Sequence, residues 1–270
     1  MAKSPEEFLS AGETRRYASD GVVFLEGVFS DWVDLLRAGI EKLMADPSPR
    51  ERSYTPDDGT ARFFQDLVNW QRIPEFNDFV FNSPAAEIAA GLMGSDTARF
   101  FHDHVLVKEP GTSIVTPWHQ DQPYYCTAGE KSASFWIPLD EVPQETALQC
   151  VAGSHLWGKI HRPKRFDGSD LYESDTSEEM PDIDANKEDY NIVSWAMKPG
   201  DAVVFDFRIV HGAAANTGQL QRRRAFSARW VGDDAVFVDR KGRGSPPFNH
   251  LTLKTGEPLD GPDFPLVYNS

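Results

Sequence analysis

Thr116-Pro117-Trp118-His119-Gln120-Asp121-Gln122-Pro123-Tyr124-Tyr125 sets an imidazole and a carboxylate two positions apart in an aromatic, proline-bounded segment. On a strand, side chains at i and i+2 share a face, so His119 and Asp121 can offer a nitrogen and an oxygen to one point in space. Two histidines and one carboxylate form the facial set that holds Fe(II) while leaving coordination positions open. The pair therefore calls for a second histidine elsewhere in the chain.

His211 is the candidate. It follows the turn Lys198-Pro199-Gly200-Asp201 and the apolar run Ala202 to Phe205, and it precedes Gly212-Ala213-Ala214-Ala215-Asn216, whose small side chains leave room around a ring. Several strands fit in the 90 positions after Asp121 and can return it to the first pair in a barrel. The other histidines read differently. His102 and His104 flank Asp103 at strand spacing without a proline-bounded loop beside them, and His155 sits in a turn as a loop-shaping hydrogen-bonding residue. His161 and His250 lie among polar residues and are expected to be exposed.

Downstream of His211, Gln221-Arg222-Arg223-Arg224-Ala225-Phe226-Ser227 opens a strand with a guanidinium able to bind a carboxylate through two parallel hydrogen bonds. Alternation gives two choices. If Arg223 points inward, so do Ala225, Ser227 and Arg229, which leave space and add a hydroxyl. If Arg222 and Arg224 point inward, Phe226 and Trp230 crowd the same face. Space favours Arg223, although a one-residue slip in the Gly212 to Gln221 loop would exchange the two sets.

These elements together resemble the phytanoyl-CoA dioxygenase (PhyH) family of Fe(II)- and 2-oxoglutarate-dependent oxygenases. The resemblance runs from about Asp20 to Asp234. It rests on Val107-Lys108-Glu109-Pro110-Gly111, the opening stretch, Phe135-Trp136-Ile137-Pro138-Leu139-Asp140, Ala152-Gly153-Ser154-His155, Pro199-Gly200-Asp201 with His211-Gly212, and the Arg223 strand. It implies a mainly β fold, a double-stranded β-helix or jelly roll with helices packed on the major sheet. It also implies iron ligands His119, Asp121 and His211, with Arg223 on the distal carboxylate of 2-oxoglutarate, Ser227 beside it, and Trp136 and Lys108 lining that pocket. The implied reaction consumes O2 and 2-oxoglutarate, releases succinate and CO2, and hydroxylates an unidentified small molecule. Asp121 favours hydroxylation over halogenation, because halogenating relatives carry a small residue there. The same cofactors can also desaturate, cyclise or epimerise. Gln144-Glu145-Thr146-Ala147 departs from the family, where an Asn-Gly turn is common. Trp118, Tyr124 and Tyr125 flank the ligands as candidate pocket walls. Arg229 is a candidate for an anionic substrate group or for a structural pair with an acid such as Asp206.

Composition narrows the classes further. The 270 residues are 40% hydrophobic, enough to bury one core, and a single domain spanning 1–270 is expected: helical support to about 100, a jelly-roll core to about 240, and a C-terminal extension over 241–270. With 42 acidic against 27 basic residues the formal charge is −15, which disfavours nucleic acid and anionic membranes as partners. The start carries no basic-then-apolar leader and no run approaches membrane-span length, so a cytoplasmic location is expected. Cys126 and Cys150, without CxxC spacing, read as two reduced thiols. A non-catalytic jelly-roll binding module would need neither the ligand set nor the arginine. A zinc hydrolase could use two His and one Asp but would have no use for the arginine.

Local signals predict helices starting at Ser4-Pro5 and Ser30, the second with apolar positions at Trp32, Leu35, Leu36, Gly39, Ile40, Leu43 and Met44, and further helices starting at Pro74 and Ser83-Pro84. The polar stretch from Asp46 to Thr60 reads as an exposed loop. Between Phe166 and Tyr190, ten Asp or Glu and few apolar anchors predict a solvated insertion outside the core, or a lid closing over the site, and argue against a polyanionic ligand at that segment. Strands are expected at Val105-Leu106-Val107, Ser134 to Ile137, Ala202 to Phe205 and Ala225 to Trp230.

Overall fold

The computed structural model describes residues 4–55, 61–164, 169–172, 177–216, 221–240 and 244–270. In chain order the elements are α1 (Ala11–Asp20), β1 (Val22–Leu25), α2 (Val33–Ala45), β2 (Phe63–Leu67), α3 (Pro74–Asn82), α4 (Ala85–Met93), β3 (Thr97–Lys108), β4 (Thr116–His119), β5 (Thr127–Ala128), β6 (Ser132–Pro138), β7 (Leu148–Val151), β8 (Ile192–Val193), β9 (Ala202–Phe205), β10 (His211–Ala213), β11 (Arg223–Val231), β12 (Val236–Phe237) and β13 (Leu266–Asn269). The major sheet runs β1-β9-β6-β11-β3-β13, with β2 also paired to β3. The minor sheet runs β4-β10-β7-β8, and β12 pairs with β5. All these pairings are antiparallel, and the arrangement is the jelly roll.

Helix signals act where the sequence put them, with one shift at the N-terminus. Ser4-Pro5 opens only a 3-10 turn, Pro5–Glu7, and the first α-helix waits for Ser10, whose side chain accepts from Glu13 N while Glu13 reciprocates. Gly21 closes α1 at φ 69°, a left-handed conformation that a glycine adopts without strain. A 3-10 turn at Ser30–Trp32 leads into α2, which buries Leu36, Gly39, Ile40 and Leu43. Gly39 permits close packing on α3, because a Cβ there would come within 2.5 Å of the Phe76 ring.

Period-two alternation divides β11 between two environments. Phe226, Ala228 and Trp230 join the core shared with the helices, where the Phe226 ring centroid lies 4.8 Å from that of Phe76 and 5.3 Å from that of Phe79. Each aromatic side chain buried there contributes roughly 1.5–3 kcal/mol. Arg223, Ala225, Ser227 and Arg229 face the other way, into a cavity of about 750 Å³ bounded by the two sheets.

Five expectations need correction. The mainly helical first hundred residues also hold β2 and the start of β3. The stretch read as an exposed loop is partly edge structure, with Arg52 N donating to Gln65 O (2.8 Å) and Tyr54 bridging Phe63 beside β2. Within the acidic insertion Ile183 is fully buried against Val151 and Val210, so one apolar anchor holds that segment down. His161 is buried, its backbone N–H donating to the Gln120 side-chain oxygen, because the insertion folds over it. Asp167, Glu173 and Asp175 lie outside the described residues. The segment expected as a C-terminal extension contributes β13 to the major sheet. Cys126 and Cys150 are unpaired, and no helix among the described residues is long and apolar enough to cross a membrane.

Candidate active site

Antiparallel pairing of β4 with β10 sets His119 directly opposite His211. Asp121 is not on the strand. β4 ends at His119, and Asp121 takes a right-handed helical conformation (φ −74°, ψ −40°) at the start of the turn Gln122–Tyr124. The turn brings its carboxylate back to the histidines. Asp121 Oδ1 lies 3.7 Å from His119 Nε2 and 3.9 Å from His211 Nε2, and the three ligand atoms sit within 4.8 Å of one another.

Each ring nitrogen has a defined task. His119 Nδ1 donates to Pro117 O (2.8 Å) and His211 Nδ1 to Ile209 O (3.0 Å). A carbonyl only accepts, so Nδ1 carries the proton and Nε2 turns a lone pair toward Asp121. Burial, reinforced by the facing His119, pushes the His211 pKa down to about 3, which keeps it a neutral donor. For Asp121 burial opposes the charge, but the Arg229 guanidinium outweighs it and holds the carboxyl well below its usual range. Ser134 Oγ also donates to Asp121 Oδ2 (3.3 Å). Two imidazoles and one carboxylate suit a divalent cation.

Arg229 does not pair with Asp206, which is taken by Arg208 (2.8 Å). Its Nε lies 3.5 Å from Asp121 Oδ2 and donates to the Tyr125 hydroxyl. Tyr125 is thus a buried partner of the ligand set. The reason is register: β11 runs antiparallel to β6, and Arg229 sits opposite Ser134, at the depth of Asp121.

The three consecutive arginines separate by partner. Arg222 binds Glu109 (3.0 Å) and Glu41 (3.1 Å). Arg224 binds Asp140 (2.7 Å) and Glu41 (3.1 Å). Arg223, on the opposite face, is buried in the cavity wall, and among the described residues no carboxylate pairs with it. It donates to the carbonyls of Thr146 and Ala214 instead. The Gln144–Thr146 turn therefore meets Arg223 through its main chain, which any residue can supply. Lys108, opposite Arg223 in the β3–β11 register, is also buried and donates to Ala214 O (3.1 Å). Burial pushes Arg223 down to about 10, and burial together with Arg223 pushes Lys108 down to about 6. A buried guanidinium without a counter-ion, beside a buried lysine that an arriving anion would recharge, favours an anionic ligand between them.

Trp136 and Ser227 are register partners that line the same cavity, as do Trp118 and Tyr124. Tyr124 is fixed by its hydroxyl, which donates to Lys164 O (2.7 Å), and burial raises its pKa to about 12. His104 also lines the cavity, whereas His102 is wholly buried. Sequence reasoning missed β2 and the edge segment before it, which add Phe63, Gln65, Arg50, Arg52 and Tyr54 to the wall. The Phe63-Phe64 pair was the available signal for a strand there.

The profile of the phytanoyl-CoA dioxygenase (PhyH) family matches residues 17–225. The ectoine dioxygenase of Sphingopyxis alaskensis is 24% identical over 232 residues, covering 81% of this chain and 74% of that protein. The multifunctional dioxygenase prhA of Penicillium brasilianum is 23% identical over 237 residues, 78% of this chain and 68% of that protein. Among solved structures, the non-haem alpha-ketoglutarate-dependent carbocyclase SnoK from nogalamycin biosynthesis superposes with a TM-score of 0.77 at 25% identity, over 99% of each chain.

Proposed function

Because the chain belongs to the phytanoyl-CoA dioxygenase (PhyH) family, whose profile spans most of it, we propose that it holds Fe(II) through His119, Asp121 and His211, anchors 2-oxoglutarate on Arg223, and hydroxylates a small molecule. Non-haem iron, 2-oxoglutarate-dependent dioxygenase chemistry is the property of the family. One observation carries the assignment of residues: a convergent His-Asp-His set shares its cavity with a buried guanidinium that has no carboxylate of its own.

Bound iron and 2-oxoglutarate supply oxidative decarboxylation to succinate and CO2 and the oxidising power to cleave a C–H bond. This chain's residues do the rest. Arg223 would receive the distal carboxylate in a charge-assisted contact, Lys108, recharged beside the anion, would add a second positive charge, and Ser227 would supply a hydroxyl. Arg229, Tyr125 and Ser134 keep Asp121 ionised and aimed at the ion. The Pro117 and Ile209 carbonyls hold both imidazoles in the metal-binding tautomer. Trp136, Phe205 and Leu106 wall the pocket with apolar surface, which limits water near the reacting centre. Asp121 supplies a carboxylate where, by the family resemblance, a halogenating relative carries a small residue, which supports hydroxylation over halogenation.

A second reading keeps these cofactors and changes the outcome to ring closure or epimerisation. The likeness to the carbocyclase over the full length of both chains favours it. One experiment tests both. Protein prepared anaerobically with Fe(II) and 2-oxoglutarate should develop the weak metal-to-ligand charge-transfer absorption, and small-molecule pools are then screened for stimulated succinate release. Product gaining one oxygen supports hydroxylation, loss of two hydrogens supports cyclisation or desaturation, and an isomer supports epimerisation. Correctly folded protein without the absorption, with Asp121→Ala indistinguishable from wild type, overturns the assignment.

A further inference from the structure

The cavity is far more basic than the molecule around it. In a chain of formal charge −15 its wall carries Arg50, Arg52, Lys108, Arg162, Lys164, Arg223 and Arg229 against the carboxylates Asp121 and Glu179. Most of these cations are already committed. Arg229 is bound to Asp121, Arg162 and Lys164 both bind Glu179 (2.8 and 2.7 Å), and Arg223 with Lys108 forms the proposed 2-oxoglutarate end. Arg50 and Arg52 remain. Neither pairs with a carboxylate among the described residues; Arg52 Nη1 reaches only the Glu51 carbonyl (3.1 Å), and the Glu51 carboxylate is occupied by Arg62 (2.7 Å).

Strand register fixes where they stand. Ala225, Leu106 and Gln65 are successive partners across β11, β3 and β2, and Arg52 extends that row through its hydrogen bond to Gln65 O. Ser227, His104 and Leu67 form the next row, nearer the metal ligands, and Arg50, in the turn just before Arg52, lines the same cavity. The row places Arg52 three strand spacings, about 14 Å, from β11, beyond the reach of a ligand held on Arg223. The segment is anchored: Ser48 N donates to the buried Asp66 (2.7 Å), and Arg50 N to Ser48 Oγ (3.0 Å).

An independent observation lies between the two ends. Gln65 is 97% buried (3% exposed) and lines the cavity. One end of its amide is engaged by His104 Nε2 (3.1 Å), while its Nε2 is buried without any partner. An orphaned buried donor costs about 1–3 kcal/mol unless a ligand satisfies it. The Gln65 side chain lines the same cavity as Arg50 and Arg52.

We propose that the substrate carries an oxyanion, a carboxylate or a phosphate ester, received by Arg50 and Arg52 with Gln65 donating to it, while its apolar body lies along Leu67, Trp118, Leu171, Met180 and Pro247 toward the metal ligands. This deepens the oxygenase reading and rests on it for what is oxidised, but not for what is bound. The volume of about 750 Å³ falls within the 300–1,000 Å³ typical of pockets that enclose small organic ligands. Among the described acids of the insertion, Glu179 is the one that lines the cavity, and it is paired with Arg162 and Lys164.

The test uses fragments that differ only in charge: phenylacetate, phenyl phosphate and the neutral phenylacetamide, titrated by ligand-observed NMR into protein loaded anaerobically with Fe(II) and 2-oxoglutarate. At least one anion is expected to bind about tenfold more tightly than the amide. The Arg50→Gln/Arg52→Gln protein is expected to lose that preference, and Gln65→Leu to weaken it, with fold checked by circular dichroism. Stronger binding of phenylacetate assigns a carboxylate, and of phenyl phosphate a phosphate ester. Equal binding of the amide, a preference that survives the double substitution, or no binding of either anion in the millimolar range overturns the proposal. The charge-transfer absorption reports separately on the oxygenase reading. If loading fails, the same titration on unloaded Arg223→Leu protein, which lacks the competing anion site, still reads the preference.

Discussion

His119 and His211 stand opposite each other in adjacent strands with ring centroids 4.2 Å apart, and each anchors its Nδ1 on the carbonyl two residues before it. The two rings are therefore oriented by their own backbones before any ion arrives, and Asp121 completes the set from a turn. Replacing either histidine by alanine removes a nitrogen ligand while its strand pairing, made by the main chain, persists. Iron affinity is expected to fall at least 10–100-fold, roughly the loss seen when even an outer partner of a ligand is removed. Equilibrium dialysis against Fe(II), with circular dichroism to confirm the fold, checks this. Unchanged affinity in both variants refutes the ligand assignment.

The contrast among Arg222, Arg223 and Arg224 leads to a second expectation. A charge-assisted bidentate contact is worth about 1.5–3 kcal/mol, so Arg223→Leu should weaken 2-oxoglutarate binding by roughly 10–100-fold. Arg222→Gln breaks only half-exposed pairs with Glu41 and Glu109 and should change it by less than about threefold. Calorimetric titration of both variants decides the matter, and a larger loss in Arg222→Gln would reverse the assignment.

Lys108 makes cosubstrate binding depend on pH. Its pKa lies at about 6 in the free protein, so at neutral pH it is largely uncharged, and a carboxylate arriving beside it restores the charged form. Binding then takes up a proton. Affinity for 2-oxoglutarate should fall as pH rises above about 6 and level off below it. Calorimetry in buffers of different ionisation enthalpy measures the proton uptake, which Lys108→Met should abolish. The same depressed pKa opposes folding below the unfolded value near 10.4, a cost that grows as pH falls to about 6 and stays in full below it.

Arg229 and Asp121 form a buried pair, and breaking one side should cost more than removing both. Arg229→Leu leaves the carboxylate uncompensated, an effect of about 3–5 kcal/mol in buried pairs. The Asp121→Leu/Arg229→Leu protein should be less destabilised than Arg229→Leu alone. Urea titrations of metal-free protein give both numbers, and an additive double variant would show that the two charges are not coupled.

Much of this was legible in the chain because covalent geometry sets it. Period-two alternation in β11 puts Arg223, Ala225, Ser227 and Arg229 on one face wherever the strand lies, and local chemistry at Pro74 and Ser83-Pro84 starts helices where the sequence marks them. Identity of donor atoms was equally visible: two histidines, one aspartate and a free arginine are chemistry written in side chains.

Other features depended on which strands meet. The spacing of His119 and Asp121 suggested one strand face, but the chain turns at Gln120 and closes the set by a different route. Arg222 and Arg224 could be separated from Arg223 only once Glu41, Glu109 and Asp140 were brought beside them from distant segments. Arg229 found Asp121 rather than Asp206 for the same reason. Arg50, Arg52 and Gln65 entered the cavity only because β2 adds to the edge of β3. By itself the sequence determined which groups are available and which face of its own strand each occupies, since that follows from the backbone period. The tertiary structure decided which charges were neutralised and which were left facing the cavity, because register and packing between elements far apart in the chain have no local signature.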